Sequence, residues 1–288
     1  MGSCLRSLVV LAGFALACHI QERPPRAPAL TTGERILRIP PDSEIPAGVM
    51  GAAIRRGRAL LADTPDSLPA HVGSDLRCFS CHLLEGTKAG ALPLIGVYSR
   101  FPQYRSRNGL INLLEDRIND CFERSLNGTA LPRTGREMRE IVAYFAFISR
   151  GIAPPGLVPG GGLDSVAADT PDTVRGAGIF ASMCARCHGP SGLGTGAAPP
   201  LSGPRSFNIG AGMARLWTAA AFIRHNMPND GAVTLTDQQA ADVASYVISR
   251  PRPDFAAKAL DWPNGNPPPD VAYPTRGASG KAVPPNNR

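Results

Sequence analysis

The chain has 288 residues, which is enough for two domains of ordinary size, and 43% of them are hydrophobic, which is enough to build packed cores. Its formal net charge of +7 comes from dispersed Lys and Arg residues, without the basic run or interleaved aromatic residues of a nucleic-acid groove, so we expect no nucleic-acid partner. The 31 Gly and 29 Pro residues favour short helices joined by long, irregular connections.

The first residues predict an export signal. Residues 1–17 combine a positive residue, Arg6, with a short apolar stretch and an A-x-A cleavage pattern at 15–17. The apolar stretch is too short to span a bilayer. Cys18 follows directly, which suits a lipid anchor to a bacterial membrane, with ordinary cleavage as the alternative. We therefore expect a periplasmic protein whose residues 18–44 form a polar, Pro-rich tether.

Two pentapeptides carry the strongest signal in the chain. Each is a C-x-x-C-H motif, the pattern of c-type haem attachment, in which two thiols add to the vinyl groups of one haem and the adjacent His reaches its iron. The motifs are Cys78-Phe79-Ser80-Cys81-His82 and Cys184-Ala185-Arg186-Cys187-His188. Disulfides or zinc sites are the alternatives, but zinc would need further ligands, and the remaining His residues are His19, His71 and His225. We expect two covalently attached haem c groups.

The sequence around the motifs repeats one plan, which predicts an all-α fold of two tandem class I cytochrome c domains with long loops. A helix precedes each motif, at 52–62 and at 174–183, and an amphipathic helix closes each repeat. Capping boxes at 134–137 and 236–239 are expected to begin the closing helices. In the class I cytochrome c fold, which this pattern resembles, a small residue of the first helix crosses an aromatic residue of the last.

A Pro- and Gly-rich stretch between the repeats predicts the domain organisation. We expect a first cytochrome c domain over 45–152, a linker over 153–172 and a second cytochrome c domain over 173–255. The remaining residues, 256–288, are expected to form an extended C-terminal tail.

Residues at equal distance from the two haem-binding His residues make the two sites different. Met227 lies 39 residues after His188, where class I cytochromes c place their distal Met, and Cys121 lies 39 residues after His82. We therefore expect His188 and Met227 to ligate one iron, and His82 and Cys121 to ligate the other. Met213 is the alternative to Met227, and an inert or disulfide-bonded thiol is the alternative for Cys121. A thiolate ligand should lower a haem's reduction potential, whereas Met raises it.

The surroundings of Cys121 are polar. A helix is expected over 112–126, which puts Arg117 and Ser125 on the same face as Cys121. A single Arg near a haem often binds only a propionate. A cluster of Arg and Ser residues with a thiolate indicates instead an anion site at the iron, and two more Arg residues lie just upstream, Arg105 and Arg107.

The segment FPQYRSRNGLINLLEDRINDCFERSLNG, residues 101–128, resembles the thiosulfate dehydrogenase family of dihaem cytochromes, which interconvert thiosulfate and tetrathionate. Residues 206–228 and 250–255 are similar to the same family, and the resemblance covers about residues 45–265. Related sulfur-oxidation cytochromes carry a Cys-ligated haem near a similar stretch.

The resemblance implies that the Cys121-ligated haem is the active site, with Arg107, Arg117 and Ser125 handling the substrate. It implies thiosulfate and tetrathionate as substrates, and a Met-ligated haem that passes electrons to a soluble cytochrome c or a similar carrier. Some members exchange a Lys beside the distal Met onto the iron; here that neighbour is Asn226, which argues against such a switch. The alternatives are a dihaem electron-transfer cytochrome without its own substrate, or a subunit of a sulfur-oxidising complex.

Overall fold

The computed structural model describes residues 39–275. The predicted signal peptide, Cys18 and most of the predicted tether lie outside the described residues. Within residues 39–275, every helix is too short or too polar to cross a membrane.

The described chain is mainly helical, as the sequence predicts. Its helices are α1 (Gly48–Ala62), α2 (Thr64–Ser67), α3 (Leu83–Gly86), α4 (Leu114–Asp120), α5 (Arg136–Ile148), α6 (Thr173–Ile179), α7 (Ala185–His188), α8 (Leu216–Asn226) and α9 (Asp237–Ser249). A small antiparallel sheet pairs β1 (Gln103–Arg105) with β2 (Leu110–Asn112), and Tyr104 lies opposite Ile111. Single π-helical turns continue two of the helices, at Cys121–Ser125 and Phe180–Cys184.

The first and last helices of each repeat cross at a glycine. Gly57 of α1 packs so closely on α5 that a Cβ atom there would collide with the carbonyl oxygen of Glu140. Gly176 of α6 stands in the same way against the carbonyl oxygen of Asp242 in α9. Because neither crossing leaves room for a side chain, both repeats carry glycine there. The predicted crossing at a small residue, and with it the all-α fold of two tandem cytochrome c domains, is confirmed. The facing aromatic residue is present only for Gly176, which Tyr246 approaches, whereas Gly57 meets Glu140 and Ile141.

The closing helices bury the predicted apolar faces. In α5 these are Ile141, Tyr144, Phe145 and Ile148, and in α9 they include Val243 and Val247. The predicted capping box of α9 is confirmed: Thr236 Oγ1 accepts from the backbone N–H of Gln239 at 3.2 Å, and Gln239 Oε1 accepts from the N–H of Thr236 at 2.9 Å. The predicted box of α5 is wrong, because Gly135 is the N-cap residue and Thr134 lies one position too early to cap.

The helix that carries Cys121 is shorter than predicted. It begins at Leu114 rather than at Asn112, because Asn112 is buried and its Oδ1 accepts from the side chain of Asn108 at 2.9 Å. Asp116 caps the helix by accepting from the backbone N–H of residue 113 at 2.8 Å. The α-helical part ends before Cys121, which begins the π-helical turn.

After α9 the chain turns back toward the first repeat. Residues 256–275, here the C-terminal segment, contain one 3-10 turn, Lys258–Leu260, and bury Trp262 and Tyr273. The backbone N–H of Trp262 donates to the carbonyl oxygen of Arg107 at 2.6 Å. The described part of the predicted tail therefore packs on the first repeat. The predicted domain boundaries themselves stay a prediction.

Candidate active site

A cavity of about 220 Å³ lies within the first repeat. We call it the inner cavity, and Cys78, Cys81, His82 and Cys121 all line it. Much of the remaining wall is aliphatic or aromatic, and it includes Leu61, Leu76, Leu94, Ile118, Phe122 and Phe145. The attachment motif and the thiol 39 residues further on therefore meet in one largely apolar space.

The donor set of the inner cavity fits a covalently attached haem. Neither Cys78 nor Cys81 forms a disulfide within the described residues, so both thiols are available to attach a haem. The Nδ1 atom of His82 lies 2.5 Å from the carbonyl oxygen of Leu92, which fixes the orientation of the ring. A planar, apolar group with a metal centre suits a cavity with these walls and these four donors.

The thiol of Cys121 differs from the attachment thiols because a positively charged side chain donates a hydrogen bond to it. The Nη1 atom of Arg117 donates to Cys121 Sγ at 2.9 Å. Burial opposes ionisation of this thiol, but the charge of Arg117 and the His82 ring outweigh burial and lower the pKa of Cys121 to about 7. The site therefore provides a sulfur that ionises readily and that is suited to bind iron or to attack a substrate.

A second cavity, of about 340 Å³, adjoins the first and is polar. We call it the outer cavity, and Arg105, Arg117, Ser125 and Gly212 line both cavities. The other residues of its wall are Tyr104, Ser106, Arg107, Asp120, Arg124, Arg215, Trp262 and Pro268. Within the described part of the chain, five Arg side chains line this space and Asp120 is its one acidic lining residue.

The structure brings three of the four predicted catalytic residues to the inner cavity, namely Cys121, Arg117 and Ser125. Arg107 lines only the outer cavity. The π-helical turn keeps Ser125 beside Cys121 although the predicted continuous α-helix is absent. Because Arg117 and Ser125 line both cavities, they connect the thiol with Arg107.

Arg107 is fixed at the outer cavity by backbone and aromatic contacts. Its Nη1 atom donates to the carbonyl oxygen of Gly210 at 2.6 Å, and its guanidinium lies 4.7 Å from the centre of the Trp262 ring. Burial and the neighbouring charge of Arg124 lower the pKa of Arg107. Burial and another Arg neighbour lower the pKa of Arg105 in the same way. Positive charge is therefore crowded around this cavity, and a bound anion would relieve that repulsion.

Sequence reasoning missed the contribution of the C-terminal segment. The Nη1 and Nη2 atoms of Arg124 donate to the carboxylate of Asp261 at 2.8 and 2.7 Å, and the Tyr273 hydroxyl donates to the same carboxylate at 2.6 Å. The ring of Phe255 lies 4.1 Å from the Arg124 guanidinium. The available signal was the presence of two aromatic residues, Trp262 and Tyr273, in an otherwise polar and Pro-rich stretch.

The second attachment motif is held in the same manner as the first. The Nδ1 atom of His188 lies 2.8 Å from the carbonyl oxygen of Pro199, and Cys184 packs against a buried cluster of Phe180 with two α9 side chains, Val243 and Val247. Arg186 of the motif pairs with Asp230, three residues after Met227, which ties the loop of Met227 to the motif. Cys187 forms no disulfide within the described residues. This donor set fits a second covalent haem.

The two methionines considered as ligands lie in different surroundings. Met213 lines the inner cavity of the first repeat, whereas Met227 does not. Both pack in a small apolar cluster with Leu83, which follows His82, and with Phe222 of α8. Because Met213 faces the cavity of the first repeat, Met227 is the better candidate to ligate the second haem. The apolar cluster connects the two haem-binding regions.

The fold and the two attachment sites define a c-type cytochrome that binds haem covalently. Residues 72–153 match the family described as SoxA/TsdA, cytochrome c domain, and residues 171–247 match the family described as cytochrome C oxidase, cbb3-type, subunit III. The chain is 42% identical over 256 residues to a thiosulfate dehydrogenase of Allochromatium vinosum, with 85% of this chain and 92% of the relative covered.

Two further relatives agree. A thiosulfate dehydrogenase of Psychrobacter arcticus is 43% identical over 83% of this chain and 76% of its own length. A solved structure of thiosulfate dehydrogenase (TsdBA) from Marichromatium purpuratum, in its as-isolated form, superposes with a TM-score of 0.72 at 34% identity, over 75% of this chain and 49% of that longer chain. The protein belongs to the thiosulfate dehydrogenase family of oxidoreductases.

Proposed function

We propose that this protein oxidatively couples two thiosulfates to one tetrathionate. It catalyses the reverse reaction where the reduction potentials of the haems favour tetrathionate reduction. The observation that carries the proposal is the contact of Arg117 with the Cys121 thiol, at 2.9 Å, in the same cavity as a haem-attachment motif. A carrier of electrons alone has no need of an arginine-held thiol beside a polar, arginine-lined cavity.

Two haem c groups are part of the proposal. Cys78 and Cys81 attach the first, with His82 and Cys121 as its iron ligands. The second is attached and ligated by the corresponding residues of the other repeat, Cys184, Cys187, His188 and Met227. When bound, the two groups accept the two electrons that the coupling of two thiosulfates releases.

The arginines answer the main electrostatic difficulty of the reaction. Two unit charges about 4 Å apart repel by roughly 1 kcal/mol in water, so two dianions repel by about 4 kcal/mol, and by more where water is excluded. Arg117 and Arg107 can neutralise the sulfonates through charged hydrogen bonds. Ser125 lines both cavities and can donate to a sulfonate oxygen.

Cys121, which would first have to leave the iron, serves as the nucleophile in the proposed sequence of steps. Its thiolate bonds to the sulfane sulfur of the first thiosulfate, and two electrons leave with formation of this S–S bond. The sulfane sulfur of a second thiosulfate then attacks the bound sulfane sulfur. Tetrathionate departs and Cys121 recovers its electron pair as thiolate, so the exchange step needs no oxidant.

Electrons leave the protein through the second repeat. The apolar cluster of Leu83, Met213, Phe222 and Met227 supports a short route between the two haem-binding regions. A soluble cytochrome c or similar carrier is the proposed acceptor. The protein is proposed to work in the bacterial periplasm, with a lipid on Cys18 as its membrane anchor.

A thiosulfate-dependent ferricyanide reduction assay tests the function. We expect activity from the haem-loaded protein and loss of activity from Cys121→Gly at unchanged haem content. A mass spectrum of substrate-treated parent protein should show thiosulfate-derived mass on the Cys121 peptide. A parent protein with both haems that is inactive in both directions would refute the proposal, and absence of a thiolate-type low-spin electron paramagnetic resonance signal would refute Cys121 ligation.

A further inference from the structure

We propose that the outer cavity is a second anion subsite, where Arg215 and Arg107 hold the sulfonate of the second thiosulfate while the first is bound at Cys121. This inference rests on the proposed function, because it places the second molecule of that reaction. It also gives a role to Arg215, which the second domain contributes.

Arg215 has one carboxylate partner at the outer limit of an ion pair and one donor without an acceptor. Its Nη2 atom donates to Thr218 Oγ1 at 2.8 Å, and its Nη1 atom stands 4.0 Å from Asp270 Oδ1. Its Nε atom is buried and has no hydrogen-bond partner within the described chain. Because a buried guanidinium N–H without an acceptor is costly, a ligand with oxygen acceptors would complete this side chain.

Two acidic groups near the outer cavity, Asp120 and Asp261, are already paired with Arg124. Asp261 accepts two hydrogen bonds from Arg124, and its distance to Arg107 Nε is 4.0 Å. Asp120 lies 3.7 Å from the Nε of Arg124. Arg107 and Arg215 each have one carboxylate at 4.0 Å, beyond hydrogen-bond distance, so the local excess of positive charge favours a dianion.

The shared wall of the two cavities indicates where each of the two anions lies. The inner cavity contains the four haem donors, so a first thiosulfate bound at Cys121 lies toward the wall formed by Arg117 and Ser125. That wall is shared with the outer cavity. A second thiosulfate in the outer cavity can direct its sulfane sulfur through the shared wall while Arg107 and Arg215 hold its sulfonate.

This placement suits the exchange step. The incoming sulfane sulfur forms the new S–S bond of tetrathionate, and the bond between Cys121 and the first sulfane sulfur breaks. The electron pair of the broken bond returns to Cys121, so no proton and no co-reactant is required. Positive charge near the incoming sulfonate lowers the repulsion between the two anions as they approach.

The test compares Arg215→Gln with the parent protein in its reduced, haem-loaded form, in which both anions can bind without being oxidised. Equilibrium dialysis with radiolabelled thiosulfate should show two bound anions per parent protein and one per Arg215→Gln protein. In the ferricyanide assay, Arg215→Gln should lower kcat/KM for thiosulfate by about tenfold or more, and Arg215→Lys should recover part of that loss. Arg139→Gln, an exposed charge on α5, should change neither quantity.

The outcomes separate this inference from the proposed function. If the parent protein produces tetrathionate but binds one thiosulfate, or if Arg215→Gln binds two and turns over normally, the second subsite is wrong and the function stands. If Arg215→Gln loses both bound anions, Arg215 acts on the whole site and the subsite is again wrong. A haem-loaded parent that neither oxidises thiosulfate nor reduces tetrathionate overturns both.

Discussion

Arg124 and Asp261 lie 137 residues apart in the chain, yet they form an ion pair through two hydrogen bonds of 2.8 and 2.7 Å, with 10% and 3% of their side chains exposed. The pair joins the π-helical turn that begins at Cys121 to the C-terminal segment. Because Trp262 follows Asp261 and lies against Arg107, the same contact supports one wall of the outer cavity.

Removal of Asp261 should therefore destabilise the protein strongly. Asp261→Ala leaves the buried Arg124 guanidinium without its carboxylate, and we expect the free energy of unfolding to fall by about 3–5 kcal/mol. Urea denaturation followed by circular dichroism measures this change. Asp75→Ala is the control, because its ion pair with Arg205 is exposed and should contribute less than about 1 kcal/mol. Equal losses in the two variants would contradict the importance of the buried pair.

The crossing glycines give a second prediction. Gly57→Ala and Gly176→Ala should each lower the free energy of unfolding by about 1–3 kcal/mol or more, because the new methyl group meets a backbone carbonyl of the facing helix. Gly178 lies in the same helix as Gly176, and a Cβ there meets nothing within 4 Å. Gly178→Ala should therefore stabilise the helix by about 0.5–1 kcal/mol. Thermal unfolding measures these changes. If Gly176→Ala and Gly178→Ala had the same stability, the close packing of Gly176 against Asp242 would be contradicted.

The arginine beside the thiol gives a third prediction. Arg117→Gln removes a charged hydrogen bond to Cys121, and kcat/KM for thiosulfate should fall by roughly 10- to 100-fold in the ferricyanide assay. Arg117→Lys keeps the charge but not the planar donor, so its activity should be intermediate. Arg139→Gln removes an exposed charge and should leave the rate unchanged. A normal rate in Arg117→Gln would exclude Arg117 from the reaction.

The two methionines give a fourth prediction, which concerns potentials. Met227→His should lower the reduction potential of one haem and leave the other nearly unchanged, because a Met ligand raises the potential relative to nitrogen ligation. A redox titration followed by visible absorption measures both potentials. Met213→Leu, a substitution of similar volume, is expected to keep the second haem's potential. If the effects of the two substitutions are reversed, Met213 is the ligand.

Features encoded locally or by repetition could be predicted from the sequence. The attachment motifs are contiguous, and the 39-residue offset compares one repeat with the other. Arg117 stands one helical turn before Cys121, so the two side chains meet wherever the helix begins and ends, as the 2.9 Å contact shows. The start of that helix was predicted wrongly because Asn112 uses its side chain for a buried contact rather than for a cap.

Features that depend on distant segments could not be predicted. Arg124 meets Asp261 only because the Pro-rich chain beyond the second repeat turns back onto the first. Arg215 was not singled out, because its place at the outer cavity depends on how the second repeat packs on the first. The same packing decides that Met213 lines the cavity of the other repeat, which no spacing within the second repeat reveals.

The outer cavity takes residues from both repeats and from the C-terminal segment. A gene fragment for the first repeat alone would encode an attachment motif, Cys121 and Arg117, but it would lack Arg215 and Trp262, which complete the arginine-lined wall. A single repeat moved into another gene would therefore carry only part of this pocket.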